Sequence, residues 1–215
     1  DDITIVVSAP DATNTAPAAT TAGGGVQLEK TGTGTLTLSG VNLYTGTTTI
    51  TNGTLQIAGS GSLGAGSYAA AIANSGAFQY SSSATQTLAG AITGSGTLTK
   101  DTSASTLTLT GNGAVTYTGA TTINNGTLEV VNLGSTFNSP IAVNSPGILE
   151  IDSTIPFATR WNYNKTLSGN GTFNKTGTGV FGIINAMRMS GQINVKAGRL
   201  HNDNVTGNWP ANTAN

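Results

Sequence analysis

The segment Tyr44-Thr45-Gly46-Thr47-Thr48-Thr49-Ile50-Thr51-Asn52-Gly53-Thr54-Leu55-Gln56-Ile57 returns without a gap, 73 residues later, as Tyr117-Thr118-Gly119-Ala120-Thr121-Thr122-Ile123-Asn124-Asn125-Gly126-Thr127-Leu128-Glu129-Val130. Self-similarity at a fixed period is the mark of a repeat architecture. A weaker third copy, carried by Gly191, Val195, Gly198 and Leu200, follows about 72 residues further on. The same pattern recurs just upstream, at residues 24–30, 94–100 and 169–175. Three copies of about 72 residues therefore fill residues 23–204, leaving residues 1–22 as a strand and a Pro/Ala/Thr linker and residues 205–215 as a polar tail.

Inside each copy the apolar period is 2, as in Leu36/Leu38, Leu55/Ile57, Leu107/Leu109, Leu128/Val130 and Leu149/Ile151, which predicts strands. Thr occupies alternate positions, where its β-branch suits the pleat. Asn-Gly steps at 52–53, 125–126 and 170–171 supply tight corners. Short strands and sharp corners repeated many times describe a winding solenoid. With coils of about 20 to 24 residues at about 4.8 Å spacing, some eight or nine coils build a rod of roughly 40 Å. A β-sandwich also has short strands, but its strands occupy unlike environments and do not generate a gapless self-match.

Composition agrees. Among 215 residues there are 30 Gly and 38 Thr, while charged residues make up 8%, against roughly 25% in ordinary globular proteins. Eight Lys+Arg against nine Asp+Glu give a net charge of −1, which disfavours nucleic-acid binding. No cysteine is present, so neither disulfides nor thiolate chemistry is expected. No apolar run reaches the about 18 residues of a membrane span. The start at Asp1, without a signal-type segment, fits a mature exported chain.

Leu28-x-Lys30-Thr-Gly-Thr-Gly-Thr-Leu36-Thr-Leu38-Ser-Gly40-x-Asn42-x-Tyr44-Thr-Gly46-x-Thr48-x-Ile50-x-x-Gly53-Thr54-Leu55 resembles the autotransporter-associated β-strand repeat. The second copy matches from Leu98 to Leu128 with Asp101 to Ser105 in place of Gly-Thr-Gly. The third keeps Lys175-Thr-Gly-Thr-Gly179 and loses the Asn-x-Tyr-x-Gly. The resemblance implies an all-β, right-handed parallel β-solenoid (β-helix), here with an N-terminal extension strand. It also implies an address, a secreted protein of the bacterial cell surface, and a stalk or adhesin role. It implies no chemistry.

Candidate sites are few. Gly59-Ser60-Gly61-Ser62-Leu63-Gly64 has dinucleotide-loop spacing, but no acidic residue occurs between Glu29 and Asp101, so a glycine corner is the better account. Glu150 and Asp152 are a close carboxylate pair on the solvated side of a strand. His201 is the sole histidine, beside Asp203 in the decaying last copy, and reads as a surface or capping residue. Lys100 and Asp101 are the nearest acid–base pair of the kind a polysaccharide lyase gathers, and they fall at a repeat corner. Thr-x-Thr pairs such as Thr35/Thr37, Thr97/Thr99 and Thr106/Thr108 suggest an ice-binding ladder as a minor alternative, though their spacing is irregular. No catalytic, metal or cofactor residues are assigned.

Two segments carry the functional expectations. In the N-terminal arm Ile3, Ile5, Val6 and Val7 form an apolar strand that either caps its own solenoid or adds to a neighbour's sheet edge, giving fibres or stacked rods. The aromatic cluster Phe157-Ala158-Thr159-Arg160-Trp161-Asn162-Tyr163 has no counterpart in the first copy. Arg160, Trp161 and Tyr163 there either contact a surface glycan or cover the core beneath a loop. The expected function is a non-enzymatic extracellular structural or adhesive element, with carbohydrate binding or processing as the alternative.

Overall fold

A computed structural model describes residues 4–7, 25–102, 104–111 and 114–202, the first of these as backbone. The chain winds through three positions per coil, and every ladder between named strands is parallel. Face 1 is an eight-stranded sheet: Thr35–Leu38, Thr54–Ile57, Ala77–Tyr80, Thr97–Lys100, Thr121–Ile123, Ile141–Val143, Leu167–Gly169 and Met187–Met189. Face 2 has seven strands, from Ser67–Tyr68 to Ile193–Val195. The third position holds a five-stranded sheet at the N-terminal end, with Thr4–Val7 outermost. At the other end it holds three strands: Trp161–Tyr163, Val180–Ile183 and Arg199–Asn202. Eight passes along face 1 give eight coils, about 38 Å at the usual strand spacing. The parallel β-solenoid expected from the repeat is the fold observed.

Strand after strand buries every second residue, so Leu36, Leu55, Phe78, Leu98, Thr121, Ile141, Leu167 and Met187 stack in one inward column. Most strands are buried on the inner side and leave polar atoms outside, whereas all four residues of Val180–Ile183 are buried. The column reads as a continuous core that grows by one layer per coil.

The sequence repeat and the coil do not have the same length. The first-copy strands Thr48–Ile50 and Thr54–Ile57 lie on faces 3 and 1, and their second-copy counterparts, Thr121–Ile123 and Thr127–Val131, on faces 1 and 2. The third-copy strands Ile193–Val195 and Arg199–Asn202 lie on faces 2 and 3. From Thr48 the chain passes Ile72 and Ile92 to reach Val115, three times round, before the second copy begins on the next face. One repeat is three coils plus one face.

The motif residues have local reasons to be there. Tyr44 and Thr48 hydroxyls meet at 2.9 Å, and Thr48 meets the Tyr68 hydroxyl at 2.8 Å, in the core. In the second copy Tyr117 and Thr121 meet at 2.5 Å and Thr121 and Ser139 at 2.6 Å. Tyr68 donates to the carbonyl of Gly46, and Ser139 to that of the equivalent Gly119, at 2.7 Å in the second case. These glycines cannot carry a side chain: a Cβ on Gly46, Gly119 or Gly191 would collide with the carbonyl of Val26, Gly96 or Gly171 in the coil beneath. Gly53, Gly126 and Gly198 turn the Asn-Gly-type corners with φ of 68°, 71° and 68°.

Each copy also buries a lysine. Lys30, Lys100 and Lys175 are fully inaccessible and end inward on faces 3, 1 and 2 respectively. Lys30 Nζ donates to the carbonyl oxygens of Gly32 and Asn52 (3.4 Å for the latter). Lys175 Nζ donates to those of the repeat-equivalent Gly177 (2.9 Å) and Ala197 (3.5 Å), and also to Ser153 and Thr176. The ammonium thus pins a corner to the next coil and replaces lost hydration with carbonyl dipoles. Burial still pulls all three lysines below the usual range, Lys100 to about 8, with Asp101 partly opposing the shift.

Candidate functional site

The arm strand Thr4–Val7 pairs in parallel with Gln27–Lys30 of the same chain, Ile5 against Leu28, Val6 against Glu29 and Val7 against Lys30. It extends face 3 by one strand beyond the first coil. Ile3 lies outside the described residues.

The aromatic cluster divides in two. Trp161 and Tyr163 alternate with Asn162 and point inward, each with 0% exposure. Trp161 packs edge-on against Phe137 and Phe181, and Tyr163 stacks on Phe137 and donates to the Ser139 carbonyl at 2.7 Å. Neither ring offers a face to a sugar, so ligand contact by Trp161 and Tyr163 gives way to core packing. The period-2 spacing Trp161-Asn162-Tyr163 carries that signal in the sequence.

What lies outside is Phe157 and Arg160. The coil from Ile148 to its partner Thr172 is longer than the coil from Thr127 to Ile148, and the extra chain forms a short 3-10 turn at Phe157–Thr159. Phe157 is 54% exposed, the one exposed aromatic side chain among the described residues. The Arg160 guanidinium sits 5.7 Å from the centre of its ring, and His201 approaches edge-on at 6.0 Å. Arg160 Nη1 and His201 Nδ1 are 3.3 Å apart. Asn162, Gly182 and His201 share one outward column on face 3. Gly182 leaves the middle of that column without a side chain, and an added Cβ would lie 2.8 Å from Asn162 Oδ1 and 3.6 Å from Arg160 Cδ. Phe157, Ala158, Thr159, Arg160 and Asn162 line a depression of about 470 Å³.

Other candidates disperse. Glu150 is held by Asn174 at 3.4 Å and by Lys196 at 3.8 Å, while Glu129, its neighbour in the coil beneath, accepts from Thr108 at 2.8 Å. Lys100 is in the core 5.8 Å from the Tyr80 ring centre, not on an outer face beside Asp101. In the glycine-rich stretch at 59–64, Gly59 and Gly61 turn a corner after Thr54–Ile57 and Ser62–Leu63 form a short strand paired with Val41–Asn42. On face 1 Gln56 and Gln79 separate Thr37 from Thr99 in the outward column. Among the described residues no group of three or more His, Asp or Glu side chains is placed to hold a metal ion. Among the described residues no helix is long and apolar enough to cross a membrane.

A repeat-built parallel β-solenoid is the class these features define. The sequence matches the Passenger-associated-transport-repeat family at residues 28–57 and 102–130, so the chain carries the autotransporter-associated repeat. It is 38% identical over 170 residues to the "Adhesin BmaC autotransporter" of Brucella suis biovar 1 (strain 1330), an alignment covering 71% of this chain. The chain spans 5% of that relative's length. No solved structure matches it.

Proposed function

We propose that this chain is a non-enzymatic, extracellular segment of a bacterial surface adhesin, a stiff rod that holds a binding surface away from the cell. The observation that carries the reading is the similarity to an autotransporter adhesin across most of the chain. The parallel coils supply what such a role needs, since each backbone strand is paired above and below and bends only by breaking ladders. The test is attachment: inert beads coated with the chain are counted on cultured epithelial cells against beads coated with the heat-unfolded chain. Several-fold greater attachment of the folded chain supports the reading, and equal attachment contradicts it.

A second reading rests on the ladder of Thr4–Val7 with Gln27–Lys30. The edge that receives the chain's own arm has the geometry to receive a neighbour's, which would join rods head to tail. Electron microscopy of the chain with and without residues 1–8 decides it. Filaments lost on deletion support strand exchange, and short rods in both samples exclude it.

A further inference from the structure

We propose that Phe157, Arg160 and His201 form a binding site for a carboxylated sugar within an acidic glycan, an inference that rests on the adhesive reading and names its ligand class. Residues 153–202 contain Arg160, Lys165, Lys175, Arg188, Lys196 and Arg199 and no Asp or Glu, although the whole chain has a net charge of −1. Glu150 and Asp152 just before this stretch and Asp203 just after it offset part of that charge, Lys196 lying 3.8 Å from Glu150, while Lys165, Arg188 and Arg199 keep the outer surface of the last coils net positive. Such a field concentrates anionic ligands at that end.

The depression beside Phe157 adds shape. Phe157 presents a phenyl ring, 54% exposed, at the edge of this depression. Its face suits the C–H side of a pyranose ring. The guanidinium next to it is planar and matches a carboxylate through two parallel N–H donors. Arg160 is oriented by the ring of Phe157 and by His201, and its stem has room because Gly182 lies beneath. Thr159 and Asn162 line the same depression as polar neighbours, the Asn162 Oδ1 itself being buried. An aromatic platform, an oriented guanidinium and hydroxyl-matching groups together select a sugar acid over a neutral sugar.

The test is titration of the folded chain with sialyllactose and with a glucuronate-containing hyaluronan tetrasaccharide, followed by calorimetry. Lactose and dextran sulfate serve as neutral and merely anionic controls. Binding of at least one carboxylated probe, at least tenfold tighter than lactose, is expected. Phe157→Ala and Arg160→Gln should each weaken it at least tenfold with the thermal midpoint unchanged, because Phe157 is mostly exposed. Failure of both probes to bind overturns the proposal. So does binding that ignores Phe157→Ala, or that dextran sulfate matches, since either would indicate a diffuse polyanion patch. The adhesive reading is judged separately on the coated beads. Beads that still attach when Phe157 is replaced leave the adhesive role standing and remove this site from it. Probe binding without any bead attachment removes the role and leaves the site.

Discussion

The two ends of the rod solve different problems with the same coil. In the first four coils the repeat is intact, the outward positions of face 1 are Thr37, Gln56, Gln79 and Thr99, and motif residues are consumed in holding coil to coil. Tyr44, Thr48 and Tyr68 link hydroxyls in the core, and Gly46 lets two coils touch. In the last three coils the repeat decays, the core turns aromatic through Phe137, Trp161, Tyr163, Phe173 and Phe181, and the surface turns basic. The difference teaches where to look for function in a repeat protein. A residue present in every copy serves the scaffold, and of the residues that break the pattern Trp161 and Tyr163 join the core while Phe157 and Arg160 stay outside it.

That comparison breaks first at Trp161. Replacing it by Ala empties a fully buried indole site and should cost about 3–5 kcal/mol, read as a large drop in the thermal midpoint followed by circular dichroism. An unchanged midpoint would return Trp161 to the surface. Next in size is Gly119→Ala, where the new methyl meets the Gly96 carbonyl of the coil beneath. Overpacking of this kind should cost about 1–3 kcal/mol in chemical denaturation, and Gly134→Ala, with open space around it but a positive φ, should cost less.

A pH profile sharpens the role of the buried lysines. Lys100 titrates at about 8 in the fold, below the roughly 10.4 of an unfolded lysine. Between those values the unfolded chain binds more protons than the folded one, so stability rises with pH across that window. Tyr68 and Tyr117 are pushed up to about 12 by burial, and Tyr44 and Tyr163 are raised as well. Above pH about 10 tyrosines ionise more readily in the unfolded chain, so stability then falls. Denaturant midpoints from pH 7 to 11 should pass through a maximum near 10, and Lys100→Met should flatten the rising limb. The smallest effect is expected for Phe157→Ala, within about 0.5 kcal/mol, because a mostly exposed ring supports little of the core.

Much of the scaffold is legible in the sequence because strand spacing and repeat spacing act on different scales. The alternation of Leu55/Ile57 and Leu128/Val130 sets the inward side, and the 73-residue offset sets the solenoid. The one-face advance per repeat is not legible, since coils differ in length and only the ladders reveal where each pass ends. The burial of Lys30, Lys100 and Lys175 is not legible either, because a lysine is rarely buried without partners, and the carbonyls that accept from Lys30 and Lys175 are backbone atoms that no composition displays. The candidate site was half visible. Arg160 stands where the aromatic cluster placed it, but Phe157 and His201, not Trp161 and Tyr163, are the rings beside it. His201 arrives from two coils further along, through the register of Asn162, Gly182 and His201.

The most direct test of this division of labour is cell attachment of beads carrying two altered chains, each checked for an unchanged thermal midpoint. One has Phe157→Ala with Arg160→Gln at the basic end, and the other has Gln56→Ala with Gln79→Ala on the outer side of the intact repeats. The account predicts that attachment is lost in the first and retained in the second. Attachment that survives the first pair and disappears with the second would contradict it.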